Sequence, residues 1–121
     1  MRSQDVKYML MIYDNPGTRD IFFSDAGKPL MAEMDALMAE LRQSGELLST
    51  EALADPSQTR TVRVENGVPV VTDGPLAEAK EHFGGYLVVE CASLERATEI
   101  AVRWPSARFC PLEVRPIFDG E

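Results

Sequence analysis

A chain of 121 residues with 45% hydrophobic and 26% charged residues has the length and composition of one folded domain, which excludes a disordered segment or a fibrous repeat. Twelve Lys and Arg against twenty Asp and Glu give a net charge of −8, and each half of the chain holds six basic and ten acidic residues. No basic patch is available to neutralise phosphates, so the chain is not read as a partner of nucleic acid. The longest apolar runs, such as residues 9–13, fall far short of the roughly 20 residues a membrane span needs. With nothing resembling a leader before the first strand, a cytoplasmic protein without a membrane partner is expected. Cys91 and Cys110 are too few for a disulfide framework and lack the spacing of a zinc site, so both are expected as reduced, packed thiols.

Residues 7–13 predict a first strand with Tyr8, Leu10 and Ile12 on one side and Met9, Met11 and Tyr13 on the other. Two apolar faces mark a central strand covered on both sides. Asp14-Asn15-Pro16-Gly17 reads as a turn, and residues 18–27 as a connection of undetermined form. Residues 28–44 predict a helix, with Leu30, Met31, Met34, Leu37, Met38 and Leu41 in one stripe, Pro29 in its first turn and Gly45 at its end. A short strand over residues 47–53 follows. Residues 59–72 predict a hairpin turned at Asn66-Gly67, with Val62 facing Val71 and Arg60 facing Asp73. After a loop over residues 73–85, residues 85–91 form a strand. Ser93 caps a second helix that Pro105 stops, and residues 112–117 form the last strand.

This order predicts a ferredoxin-like α+β sandwich with both helices on one face of an antiparallel sheet. The helices leave the second face bare. Because Met9, Met11 and the strand carrying Tyr86 and Val88 make that face apolar, a homodimer packed sheet against sheet is expected.

Polar groups concentrate where a strand gives way to a loop, over residues 72–82. Asp73, held by the Gly74-Pro75 turn, reads either as a general base or as the cross-strand partner of Arg60. Glu78, Lys80 and Glu81 read as a solvated turn, with Lys80 a second reading as a substrate anchor. His82 is the one histidine, either a titrating site group or a turn residue. On the last strand Glu113 and Arg115 share a face directed between the two sheets, where Arg115 pairs structurally or binds a carboxylate. Tyr86 adds a hydroxyl on the same side. No phosphate loop, dinucleotide fingerprint, nucleophile elbow or metal cluster is present in the sequence, and no cofactor is expected.

The segment over residues 71–81, with Asp73-Gly74-Pro75-Leu76 at its centre, resembles the signature of the DGPF-type proteins of the YCII-related family. Thr61-Val62-Arg63, Gly84-Gly85-Tyr86, Trp104-Pro105 and Glu113-Val114-Arg115-Pro116 stand at matching spacing, so the resemblance covers nearly the whole chain as a single domain. It implies a ferredoxin-like fold paired into a dimeric α/β barrel. For some relatives it implies lyase or dehydrochlorinase chemistry by a His-Asp pair whose His lies on the first helix. Here that helix carries Met31, Glu33, Met34 and Asp35 at the corresponding level, and Leu76 replaces the usual Phe, so such chemistry falls to His82 or a carboxylate.

Two readings follow. In one, the protein binds or transforms a small anionic or aromatic metabolite without cofactor, in a cavity between the sheet and the partner chain. Asp73 is then the base, with Tyr86, Arg115, Lys80 and His82 on the substrate. In the other it is a non-catalytic interaction module of an extracytoplasmic-function sigma-factor pathway, a setting the resemblance implies.

Overall fold

Alternation of apolar side chains along β1 (Val6–Asp14) builds the centre of the molecule: Tyr8 and Leu10 are buried against the helices, and Met9 and Met11 lie on the opposite face. The computed structural model describes residues 5–76 and 79–120. Its further elements are α1 (Pro16–Phe22), α2 (Lys28–Ser44), β2 (Leu47–Ala52), β3 (Arg60–Glu65), β4 (Val68–Asp73), β5 (His82–Cys91), α3 (Leu94–Arg103) and β6 (Leu112–Pro116). The main sheet runs β2-β5-β1-β6, antiparallel throughout, and β3 and β4 form a separate two-stranded sheet. With α2 and α3 on one face of the four-stranded sheet, this is the ferredoxin-like α+β fold expected.

One core joins the layers. Leu10, Leu87 and Val89 from the sheet meet Leu37 and Leu41 of α2 and Ala97 and Ile100 of α3, with Trp104 closing one side. The apolar stripe of α2 divides as it packs. Leu30, Leu37 and Leu41 are buried, Met34 and Met38 are partly buried, and Met31 is exposed. Leu37 and Leu41 fill the core, Met34 and Met38 pack against its border, and Met31 lies outside it.

Three local departures from the sequence expectation have identifiable causes. Asn15-Pro16 opens a helix where a turn was expected: the Asn15 side chain accepts a hydrogen bond from the Thr18 amide at 2.8 Å, and Pro16 occupies the first helical position. That converts the first part of the undetermined connection into α1. Strand β5 begins at His82, three residues before the strand expected, because Gly84 is accommodated as a bulge. Ile12 pairs with Gly85 and Tyr13 with Phe83, leaving Gly84 unpaired between them. The last strand ends at Pro116, one residue early.

The hairpin follows its predicted register. Val62 faces Val71 and Arg60 faces Asp73, while Asn66 and Gly67 take φ of 50° and 78°, the left-handed pair a tight hairpin turn requires. Val62, Val64, Val68 and Val71 remain exposed on it.

Glu46, at the end of α2, is buried and held by Arg96 of α3, whose Nε and Nη2 donate to its two carboxylate oxygens at 2.8 and 2.9 Å. A forked pair of this kind ties the helices together, and removing one partner strands a buried charge. Arg96→Ala should lower unfolding stability by about 2–3 kcal/mol in urea denaturation. A loss below about 0.5 kcal/mol, the level of an ordinary exposed ion pair, would contradict this role.

Candidate functional site

The inward face of β1 continues past the core to Asp14, the last residue of the strand. Here the Gly84 bulge matters. A Cβ at position 84 would lie 2.5 Å from Asp14 Oδ2 and 2.8 Å from its Cγ, so the carboxylate rests against backbone that only glycine leaves bare. Arg19, one helical turn beyond the Asn15 cap, donates from Nη1 to Asp14 Oδ2 at 3.2 Å, and its Nε lies 3.6 Å from Asp55 Oδ1. Its guanidinium sits 5.5 Å from the centre of the Phe23 ring. Hydrogen bonds from the Ser57 side chain and amide hold the Asp55 carboxyl below the usual carboxylate range, which keeps it charged for Arg19.

Asp14 and Arg19 line a cavity of about 380 Å³ between the sheet and helices α1 and α2. Its walls are apolar and pliable, with Ile12, Phe22, Met31, Met34, Met38 and Trp104 prominent. Two residues that line this cavity, Asp14 and Ser106, each carry a buried side-chain oxygen, Oδ1 and Oγ, with no hydrogen-bond partner among the described residues. Ser106 is only 4% exposed. Buried polar atoms are nearly always paired, because an unmade hydrogen bond costs about 1–3 kcal/mol.

The residues singled out from sequence are distributed otherwise. Asp73 lies at the end of β4 with its side chain 94% exposed, 3.7 Å from Arg60 Nε, and does not line the cavity. The cross-strand pairing weighed for it is therefore present. Lys80 is exposed, and Glu78 lies outside the described residues. Tyr86 and Arg115 lie on the face of the sheet away from the helices, opposite Met11 and Met9 respectively. His82 does approach the polar cluster. It stands opposite Asp14 in the β1–β5 register and shares with Asp14, Arg19 and Asp55 a cleft of about 160 Å³. A broader recess of about 630 Å³ at the hairpin base, bordered by Leu53, Leu76, His82 and Phe83, holds none of the unpartnered atoms.

The Tyr13 phenol and the two thiols are engaged elsewhere. The Tyr13 hydroxyl donates to Glu113 Oε1 at 2.6 Å, and that bond raises the phenol above its ordinary pKa. Burial pushes both cysteine thiols up, so neither carries the thiolate character of a nucleophile. Cys110 instead accepts from Asn15 Nδ2 at 3.3 Å and contacts the Thr18 hydroxyl at 3.4 Å, tying α1 to the approach of β6. Among the described residues no three His, Cys, Asp or Glu side chains converge as metal ligands.

Fold and chamber together define a ferredoxin-like α+β domain with a ligand-sized space between its layers. The chain belongs to the YCII-related domain family, whose model matches residues 6–120. It is also similar to the uncharacterized protein R00369 of Rhizobium meliloti (strain 1021), with 27% identity over 94 residues, 78% of this chain and 76% of that one. No helix among the described residues is long and apolar enough to cross a membrane.

The Gly84 contact supplies a test of the geometry. Gly84→Ala should cost only about 1 kcal/mol, because the Asp14 side chain can swing aside, breaking its bond to Arg19. Gly85→Ala, whose Cβ would meet the Glu51 backbone oxygen at 2.7 Å, should cost about 2–3 kcal/mol, because a strand must move. Equal losses in urea denaturation would show that the carboxylate is not seated against Gly84.

Proposed function

We propose that this protein binds a small ring-bodied metabolite in the chamber between its sheet and helices α1 and α2, and acts on it by acid–base chemistry. Asp14 takes the role that the sequence placed on Asp73. The observation that carries this is that two residues lining one apolar-walled cavity, Asp14 and Ser106, each hold a buried oxygen without a hydrogen-bond partner among the described residues. Arg19 engages one oxygen of Asp14, and the other has no hydrogen-bond partner among the described residues, so a ligand that opens access to it would find a positioned general base. An exposed carboxylate paired at a hairpin, such as Asp73, lacks the excluded water that gives electrostatic contacts their strength.

We further propose that a second copy of the chain covers the open sheet face. Met9, Met11, Tyr86 and Val88 form there an apolar surface that β1 and β5 leave half-buried, and an isologous sheet-to-sheet dimer would cover it. Tyr86 and Arg115 then belong to the seam rather than to the chamber. Light scattering should give twice the chain mass of 13.4 kDa at micromolar concentration, and a monomeric mass would refute the pairing.

Asp14→Asn tests the site. Its unfolding stability should stay within about 1 kcal/mol of wild type, because Oδ1 surrenders no protein hydrogen bond and Arg19 keeps Asp55. The stabilisation of about 2.7 kcal/mol that a screened metabolite gives wild type at 100 times its dissociation constant should vanish. Undiminished stabilisation of the variant would refute the assignment.

A further inference from the structure

Resting on the reading that a second copy of the chain covers the open sheet face, we infer that the β3–β4 hairpin is an arm, and that its valine face seats in the hairpin-base recess of that second copy. The hairpin stands apart from the main sheet, and β3 and β4 make only slight contact with any element but each other. A two-stranded hairpin by itself is marginally stable in water and needs a further apolar layer to hold it. The register sets Val62 opposite Val71 and Val64 opposite Pro69, which gathers these four side chains on one face. All four are exposed, and the three valines are each more than half exposed. A contiguous apolar face of this kind marks an interaction surface.

The same chain offers the complement. The recess of about 630 Å³ at the hairpin base is walled by Leu53, Leu76 and Phe83, all of them exposed apolar side chains. One two-fold axis lets each copy fill the other's hollow with the same contact. The recess also runs into the open sheet face. Tyr13 and Phe83 line it, their ring centres 6.0 Å apart, and the Tyr13 hydroxyl bonds to Glu113, which stands opposite Met11 on that face. Area points the same way. Met9, Met11, Tyr86 and Val88 are already half-buried, so by themselves they supply only a fraction of the roughly 800 Å² each partner surrenders in a stable interface. The hairpin and the recess are where further exposed apolar area adjoins them. Arg60 and Asp73 sit 3.7 Å apart on the valine face, so the arm approaches a copy of net charge −8 without adding to the repulsion. The recess shares Asp55, Pro56 and His82 with the smaller cleft at Asp14 and Arg19. A seated arm therefore closes that flank of the polar cluster, and two chains build the approach to it.

A double-mutant cycle on the full chain tests the arm, with dimer dissociation followed by sedimentation velocity from high micromolar to low nanomolar concentration. The arm variant is Val62→Thr with Val71→Thr, which keeps β-branched residues on both strands while removing apolar contact. The recess variant is Leu76→Ser. All three positions are exposed, so each variant should keep the far-ultraviolet dichroism of wild type; Val64→Thr replaces the arm variant if it does not. Each variant should raise the dissociation constant at least tenfold, and the combined variant should be little weaker than the weaker of the two, because arm and recess lose one shared contact. Multiplied losses in the combined variant overturn the recess as the seat of the arm. Dimers as tight as wild type in both variants overturn the arm, assign the valine face to a different protein, and leave the sheet-to-sheet pairing standing. A wild-type chain that is monomeric throughout overturns the pairing and the arm together.

Discussion

The contact between the Asp14 carboxylate and the bare backbone of Gly84 is the constraint on which the rest of the site depends. A side chain at position 84 would occupy the space where Asp14 now lies. The bulge that leaves Gly84 unpaired lets β1 and β5 continue two residues further, bringing His82 opposite Asp14 and the start of α1 close behind. Arg19 can then reach back across one turn to hold one oxygen of Asp14, with Asp55 approaching the other side of its guanidinium. A strand irregularity, a helix cap and an ion pair thus converge on the placement of one carboxylate.

Elsewhere the molecule satisfies its polar groups closely, and the contrast gives the site its meaning. Glu46 is buried yet forked by Arg96 and bonded by the Ser44 hydroxyl at 2.8 Å. Arg103 binds Glu40 and Arg108 binds Glu33 across the helix surface. In a domain this small, with total stability on the order of 5–15 kcal/mol, Asp14 Oδ1 and Ser106 Oγ stand out as buried atoms with no partner among the described residues.

Much of the fold was legible because period and turn chemistry act locally. The alternation in β1, the leucine–methionine stripe of α2, the Asn66-Gly67 turn and the Ser93 cap each need only neighbouring residues to define them. Even the Arg60–Asp73 pairing follows from a two-residue turn and a count of positions. The site was not legible in the same way. Asp14 looks like the first residue of a turn, since Asp-Asn-Pro-Gly is a turn sequence in isolation, and only the bulge opposite it extends the strand that carries it inward. Ser106 lies in the short 3-10 turn after α3, where nothing in its neighbours indicates burial. One signal was present: Met31, Met34 and Met38 share one edge of α2 beside its leucines, and that edge lines the cavity while Met34 and Met38 also pack against the core. The dense polar segment around Asp73 drew attention by composition, yet its conspicuous carboxylate is solvated and paired.

The most direct measurement is a crystal structure of the protein with a bound small molecule taken from solution at its dissociation constant or above. Ligand density is expected inside the layer between sheet and helices, with a donor atom within hydrogen-bond distance of Asp14 Oδ1 and Arg19 still on Oδ2. Density seated on Asp73 at the hairpin, or in the seam between two sheets with the Asp14 chamber collapsed or filled by side chains, would contradict it.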